Sequence, residues 1–112
     1  VERYTILQNA RIYRESIAIA AMGTSQDRVV AAQAADEMLN ISGVEASIVL
    51  FPTPDGGVTI SARSIGNINV QVLLEQLGGG GNNASAGAQL KDIGIREAVN
   101  QLFAAIDKYL DD

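Results

Sequence analysis

The stretch VTISARSIGNINVQVLLEQLGGGGNNASAGAQL, residues 58–90, changes its hydrophobic period twice. From Val58 to Ser64 apolar and polar residues alternate, with Val58, Ile60 and Ala62 on one side and Thr59, Ser61 and Arg63 on the other. A period of two is that of a strand, and a sheet face that stays polar needs water or a ligand over it. Asn67 or Asn69 can then cap a helix, because apolar residues return at Val70, Leu73, Leu74 and Leu77, the stripe of a 3.6-residue period. The run Gly78-Gly79-Gly80-Gly81 stops that helix, and ASAGAQL, residues 84–90, reads as a short edge strand of small residues.

Working outward, SIAIAAM at 16–22 is apolar on both alternating faces, as a central strand covered by helices on each side must be. VEASIVLF at 44–51 reads as a second buried strand, followed by a turn at Pro52, Pro54, Asp55, Gly56 and Gly57. Between these two strands Ser25 or Asp27 can cap a helix whose stripe is Val30, Ala34, Met38 and Ile41, with Gly43 closing it. The last helix carries Ile95, Ala98, Val99, Leu102, Ile106 and Tyr109 on one stripe and ends in a frayed Asp111-Asp112 tail. The first fifteen residues are ambiguous: Tyr4, Leu7 and Ala10 suit a helix, while Arg11 and Tyr13 suit an extended segment, so 1–15 is read as a linker or lead-in. Interleaved strands and helices predict a single α/β domain over residues 1–112, a mixed β-sheet of about five strands with helices packed on its faces.

The chain has 112 residues with no cysteine and no histidine. Disulfides, zinc–thiolate sites, a catalytic thiol and triad-type hydrolysis are therefore excluded from these residues alone. No catalytic group and no metal-ligand cluster is predicted, and a formal net charge of −5 argues against bulk nucleic acid as a partner. A small anionic ligand remains compatible, since backbone N–H groups and one arginine can make a locally positive pocket on an acidic protein. The chain begins Val1-Glu2 without an initiator methionine and is read as an excerpt of a longer protein.

The chemistry-bearing features are Arg63, at the end of the polar row that contains Ser61, and the glycine run about fifteen residues later. An arginine fork suits bidentate phosphate binding, and consecutive glycines let backbone N–H groups approach an anion. Asn67, Asn69, Asn82 and Asn83 lie in the neighbouring turns and can read a base edge or a phosphate oxygen. Ser64 and Ser85 complete the candidate substrate-binding set, with Gly78, Gly79, Gly80 and Gly81 as its phosphate cradle. Each feature also has a plain structural reading: four glycines as a helix cap and a flexible loop, a lone arginine as the solvated edge of a sheet, an asparagine as a cap.

The string at 60–90, with S-x-R-S at 61–64, Ile68-Asn69-Val70, the glycine run and a small-residue strand ending in Gln89-Leu90, resembles the C-terminal substrate-binding domain of DHH-type phosphoesterases. Preceded by AQAADEMLNISGVEASIVL, it is most similar to the membrane-anchored bacterial cyclic-di-AMP phosphodiesterases. The resemblance implies a parent that opens cyclic di-AMP to the linear dinucleotide, with Mn2+ held by a preceding DHH domain and no cofactor in this chain. It implies further that the domain is inactive alone, and that its partners are that catalytic domain, a small nucleotide substrate and a second copy through the parent. It places the domain on the cytoplasmic face of a membrane-anchored protein. Asn82 stands where the family typically has a histidine, and an asparagine can donate a hydrogen bond but cannot carry charge or transfer a proton. Three alternatives stay open: the same domain in an oligoribonuclease or a bisphosphonucleotide phosphatase, a non-catalytic nucleotide-binding regulatory module, and a purely structural or dimerising α/β domain in which the glycine run is only a hinge.

Overall fold

The computed structural model describes residues 2–112. Helix α1 (Glu2–Gln8) leads into β1 (Ala10–Tyr13), β2 (Ile17–Ala21), α2 (Arg28–Met38), β3 (Ala46–Pro52) and β4 (Val58–Ser64). Then come α3 (Val70–Glu75), β5 (Gly80–Gly81), β6 (Ser85–Leu90) and α4 (Ile95–Asp111). The strands form one mixed sheet in the order β1-β2-β3-β4-β6-β5, in which β2 and β3 alone are parallel neighbours and the other adjacent pairs are antiparallel. The parallel pair needs a crossover, which α2 supplies.

The expected α/β domain with a mixed sheet is found, with six strands among the described residues in place of about five. Helices cover both faces of β2 and β3, so the two apolar runs are buried on alternate sides. On one side Ile48, Leu50, Ile60, Leu73, Leu74 and Leu102 are fully buried between the sheet and α3 and α4. Each such side chain contributes about 1.5–3 kcal/mol on leaving water. On the other side α2 presents Ala31, Ala34, Ala35 and Met38 to Ala18, Ala20 and Val49. Three alanines bring the helix so near the sheet that the buried Ser47 hydroxyl on β3 donates to the Ala35 carbonyl.

Local chemistry explains the helix starts. The Asp27 side chain accepts from the backbone N–H groups of Val29 and Val30, at 2.8 and 3.1 Å, and caps α2. Asn69 does the same for α3 through the Val72 N–H at 3.1 Å. Ser25 takes no cap role and donates to the Pro52 carbonyl.

Four expectations change. The α2 helix ends at Met38, so Ile41 lies outside it at 41% exposure, and Gly43, at φ 85°, turns the chain toward β3 instead of closing the helix. The segment near 84–90 is the interior strand β6, while the edge is β5, made from the glycine run itself. Both readings of the first residues hold in succession, helix to Gln8 and then strand from Ala10. The C-terminus is helical to Asp111, which forms two hydrogen bonds with Arg14 at 2.6 and 3.2 Å, while Arg14 also pairs with Asp107. The Arg14 hydrogen bonds hold the Asp111 carboxyl below its ordinary value. A depressed carboxyl stabilises the native state above the ordinary aspartate range and loses that contribution as pH falls through its lowered value.

Candidate functional site

Helix α2 packs on β3 and β4 and stops there, so on its side of the sheet the outer strands β6 and β5 carry no helix. The alternation in β4 aims Thr59, Ser61 and Arg63 to this side, because their register partners on β3 are Phe51, Val49 and Ser47 of the α2 face. On β6 the partners of the same three residues are Gln89, Gly87 and Ser85, and Gly80 on β5 lies opposite Gly87. The result is a bare, polar half-face beside α2. Adjoining concavities of about 350, 400 and 660 Å³ run along it, and Arg28 and Thr59 line all three.

Arg63 sits at one end with its side chain 20% exposed. Its Nε lies 3.2 Å from Asp36 Oδ1 on α2, and its Nη1 donates to the Ala62 carbonyl at 2.9 Å and to Ser61 Oγ at 3.4 Å. The fork is thus held by groups on two elements, and a phosphate oxygen would compete with an exposed carboxylate for it.

The glycine run is not a loop throughout, and its four members do different jobs. Gly78 takes φ 79° to end α3, with its N–H donating to the Glu75 carbonyl at 3.1 Å. A Cβ at Gly79 would lie 2.2 Å from the Gly87 carbonyl oxygen, and one at Gly81 would lie 2.3 Å from that of Ser85. These two glycines are therefore set by the close approach of β5 to β6. A Cβ at Gly80 would meet nothing within 4 Å. Being an edge strand, β5 leaves backbone groups unpaired on its outer side, where an anion can reach them.

The turn from β5 to β6 is closed by Asn82, whose backbone N–H donates to the Ser85 carbonyl at 2.8 Å and whose Oδ1 accepts from the N–H groups of Ala84 and Ser85 at 3.0 and 2.9 Å. The Asn82 side chain thus shapes the turn. The Asn83 carbonyl accepts from the Val70 N–H, which ties this turn to the start of α3.

Arg63, Ser61, Ser85 and all four glycines of the run line this surface; Ser64, Asn67 and Asn69 are held elsewhere. Ser64 points to the opposite face, buried at 6%, and accepts from the Gly66 N–H. Asn67 donates to Glu45, and Asn69 is spent as the α3 cap while its N–H donates to the Tyr109 hydroxyl. Conversely, Arg28, Thr59 and Gln89 belong to the surface and were not among the candidates. Thr59 and Gln89 are in phase with the polar row, which is a legible signal; Arg28, the first residue of α2, offered none. Among the described residues no group of three or more His, Cys, Asp or Glu could hold a metal ion, so these residues do not fit manganese.

A matching family model spans residues 14–112, every element from β2 to α4, and the chain belongs to this family, the DHHA1 domain. Among individual relatives, it is 48% identical over 110 residues to the cyclic-di-AMP phosphodiesterase PdeA of Listeria monocytogenes, covering 96% of this chain and 17% of that protein. It is 46% identical over 113 residues to the cyclic-di-AMP phosphodiesterase GdpP of Geobacillus thermodenitrificans, covering 99% and 17%. The chain therefore spans about a sixth of the length of these relatives. A crystal structure of an exopolyphosphatase-related protein from Bacteroides fragilis shares the fold, with a TM-score of 0.84, 22% identity, and coverage of 96% of this chain and 33% of that one. No helix among the described residues is long and apolar enough to cross a membrane.

Proposed function

We propose that this DHHA1 domain is the substrate-gripping wall of a longer DHH-type phosphodiesterase that opens cyclic di-AMP to the linear dinucleotide. The observation that carries the reading is the bare half-face over β4, β6 and β5, with Arg63 held at its end by Asp36 and Ser61. The identity to PdeA and GdpP supports the substrate. In this reading the preceding DHH domain holds Mn2+, which supplies an activated water when bound. This domain's own residues orient the phosphodiester: the Arg63 fork takes its charge, the outer edge of β5 offers backbone donors, and α2 walls off water on one side. The parent is anchored in the membrane with this domain on the cytoplasmic face, and associates as a homodimer through its other segments.

The test is hydrolysis of cyclic di-AMP by the longer protein with Mn2+, followed by chromatography. Conversion to the linear dinucleotide is expected. Turnover of short oligoribonucleotides or 3′,5′-bisphosphonucleotides with none of cyclic di-AMP would move the domain to another substrate class.

A further inference from the structure

Arg28 opens α2 and is exposed, and among the described residues it has no carboxylate partner. Its guanidinium instead meets the Gln89 side chain, which offers its amide oxygen in the orientation that pairs donor with acceptor. Gln89 is the β6 register partner of Thr59 on β4, α2 packs on β4, and Arg28, Thr59 and Gln89 line one concavity of about 400 Å³. Beside this clasp the Thr59 hydroxyl is buried, in a residue 7% exposed, and has no hydrogen-bond partner among the described residues. A buried hydroxyl without a partner costs about 1–3 kcal/mol, and native folds rarely leave one unsatisfied.

The other end of the trough has the same design. There Arg63 of β4 is clasped by Asp36 of α2. The α2 residues of the two clasps, Arg28 and Asp36, are eight positions apart, an axial rise of about 12 Å between their backbones, and the long arginine side chains let the two forks reach toward each other. Along β4, Thr59 and Arg63 are four residues or about 13 Å apart at 3.3 Å per residue. Both rulers give one spacing, and both arginines line the same concavity of about 350 Å³.

We infer that Arg28, Thr59 and Gln89 form a second phosphate grip, opposite Arg63, so that the trough takes a ligand with two phosphate groups in preference to one. A phosphate oxygen at this end replaces the Gln89 amide as the acceptor for Arg28. The opened clasp gives the Thr59 hydroxyl an acceptor, and Gln89 is left able to turn its N–H2 to the same phosphate. Binding there exchanges a neutral hydrogen bond for charge-assisted ones and satisfies a hydroxyl that the free domain leaves unpaired. The inference rests on the proposed phosphodiesterase reading and extends it to the length of the substrate.

The experiment uses the longer protein and two substrates, cyclic di-AMP with two phosphates and bis(p-nitrophenyl) phosphate with one. In Arg28→Gln, kcat/KM for cyclic di-AMP is expected to fall about tenfold more than that for the one-phosphate substrate, mainly through KM. Thr59→Val removes only an unpartnered hydroxyl, so it should keep or raise Tm while shifting the ratio of the two substrates in the same direction. An unchanged ratio in both variants, with Arg63→Ala impaired, overturns the second grip and leaves the main reading standing. Wild-type turnover in Arg63→Ala brings down the main reading and this inference with it.

Discussion

Arg63→Ala is expected to lower kcat/KM for cyclic di-AMP in the longer protein by about tenfold or more, with Tm nearly unchanged. A hydrogen bond to a charged group contributes about 1.5–3 kcal/mol, and each 1.36 kcal/mol is a factor of ten in rate. The loss of stability is small because, among the described residues, the only ion pair removed is with Asp36, whose side chain is 64% exposed and rehydrates. Arg63→Lys keeps the charge but loses the planar fork, so it should recover only part of the activity. Steady-state kinetics beside a thermal melt separates these effects. Unchanged turnover in Arg63→Ala would leave the arginine as a solvated sheet edge.

Gly79→Ala should cost far more stability than Gly80→Ala. The new Cβ would lie 2.2 Å from the Gly87 carbonyl oxygen, 2.6 Å from Ala88 Cβ and 2.9 Å from Ala88 Cα. All three belong to β6, and none is the free end of a flexible side chain. Overpacking of this kind costs about 1–3 kcal/mol, or roughly 5–15 °C in Tm for a domain of this size. The two-residue β5 should separate from β6, which also withdraws the outer edge of the trough. Gly80→Ala is the control, since its Cβ would meet nothing within 4 Å and its melt should stay close to that of the wild type. Equal melts for both variants would mean that the run is a flexible loop after all.

The glycine run also shows where sequence reading reaches its limit. Four identical residues carry no periodicity, and β5 exists because glycine permits a close approach to β6, a property of a pairing partner that lies beyond the turn. Its consequence, that β6 is interior, was therefore equally invisible. By contrast β2, β3 and β4 were legible because their burial follows their period directly, and the stripes of α3 and α4 marked the helices that cover one face. The end of α2 was misjudged because Ile41 continues the stripe in phase, yet Asn40, Ser42 and Gly43 favour turns and the chain leaves the helix at Met38. In the site, the row ending at Arg63 could be read from alternation in one strand. Arg28 could not, since its place depends on α2 lying beside β4 and on Thr59 pairing with Gln89, both of which are tertiary facts. Asparagines misled in the other direction: Asn67 and Asn69 look like ligand-reading residues, but a helix start and a loop needed them first.

The central claim is that a small nucleotide is held on the half-face left open by α2, and a titration of the 15N-labelled domain with cyclic di-AMP to millimolar concentration tests it most directly. Chemical-shift changes should cluster at Ser61 to Arg63, at Gly80 to Asn82, at Ser85 to Gln89 and at the start of α2. Weak affinity is expected, because in the proposed reading the rest of the site lies in another domain. Shifts centred instead on α3 and α4, or none at millimolar ligand, would contradict it.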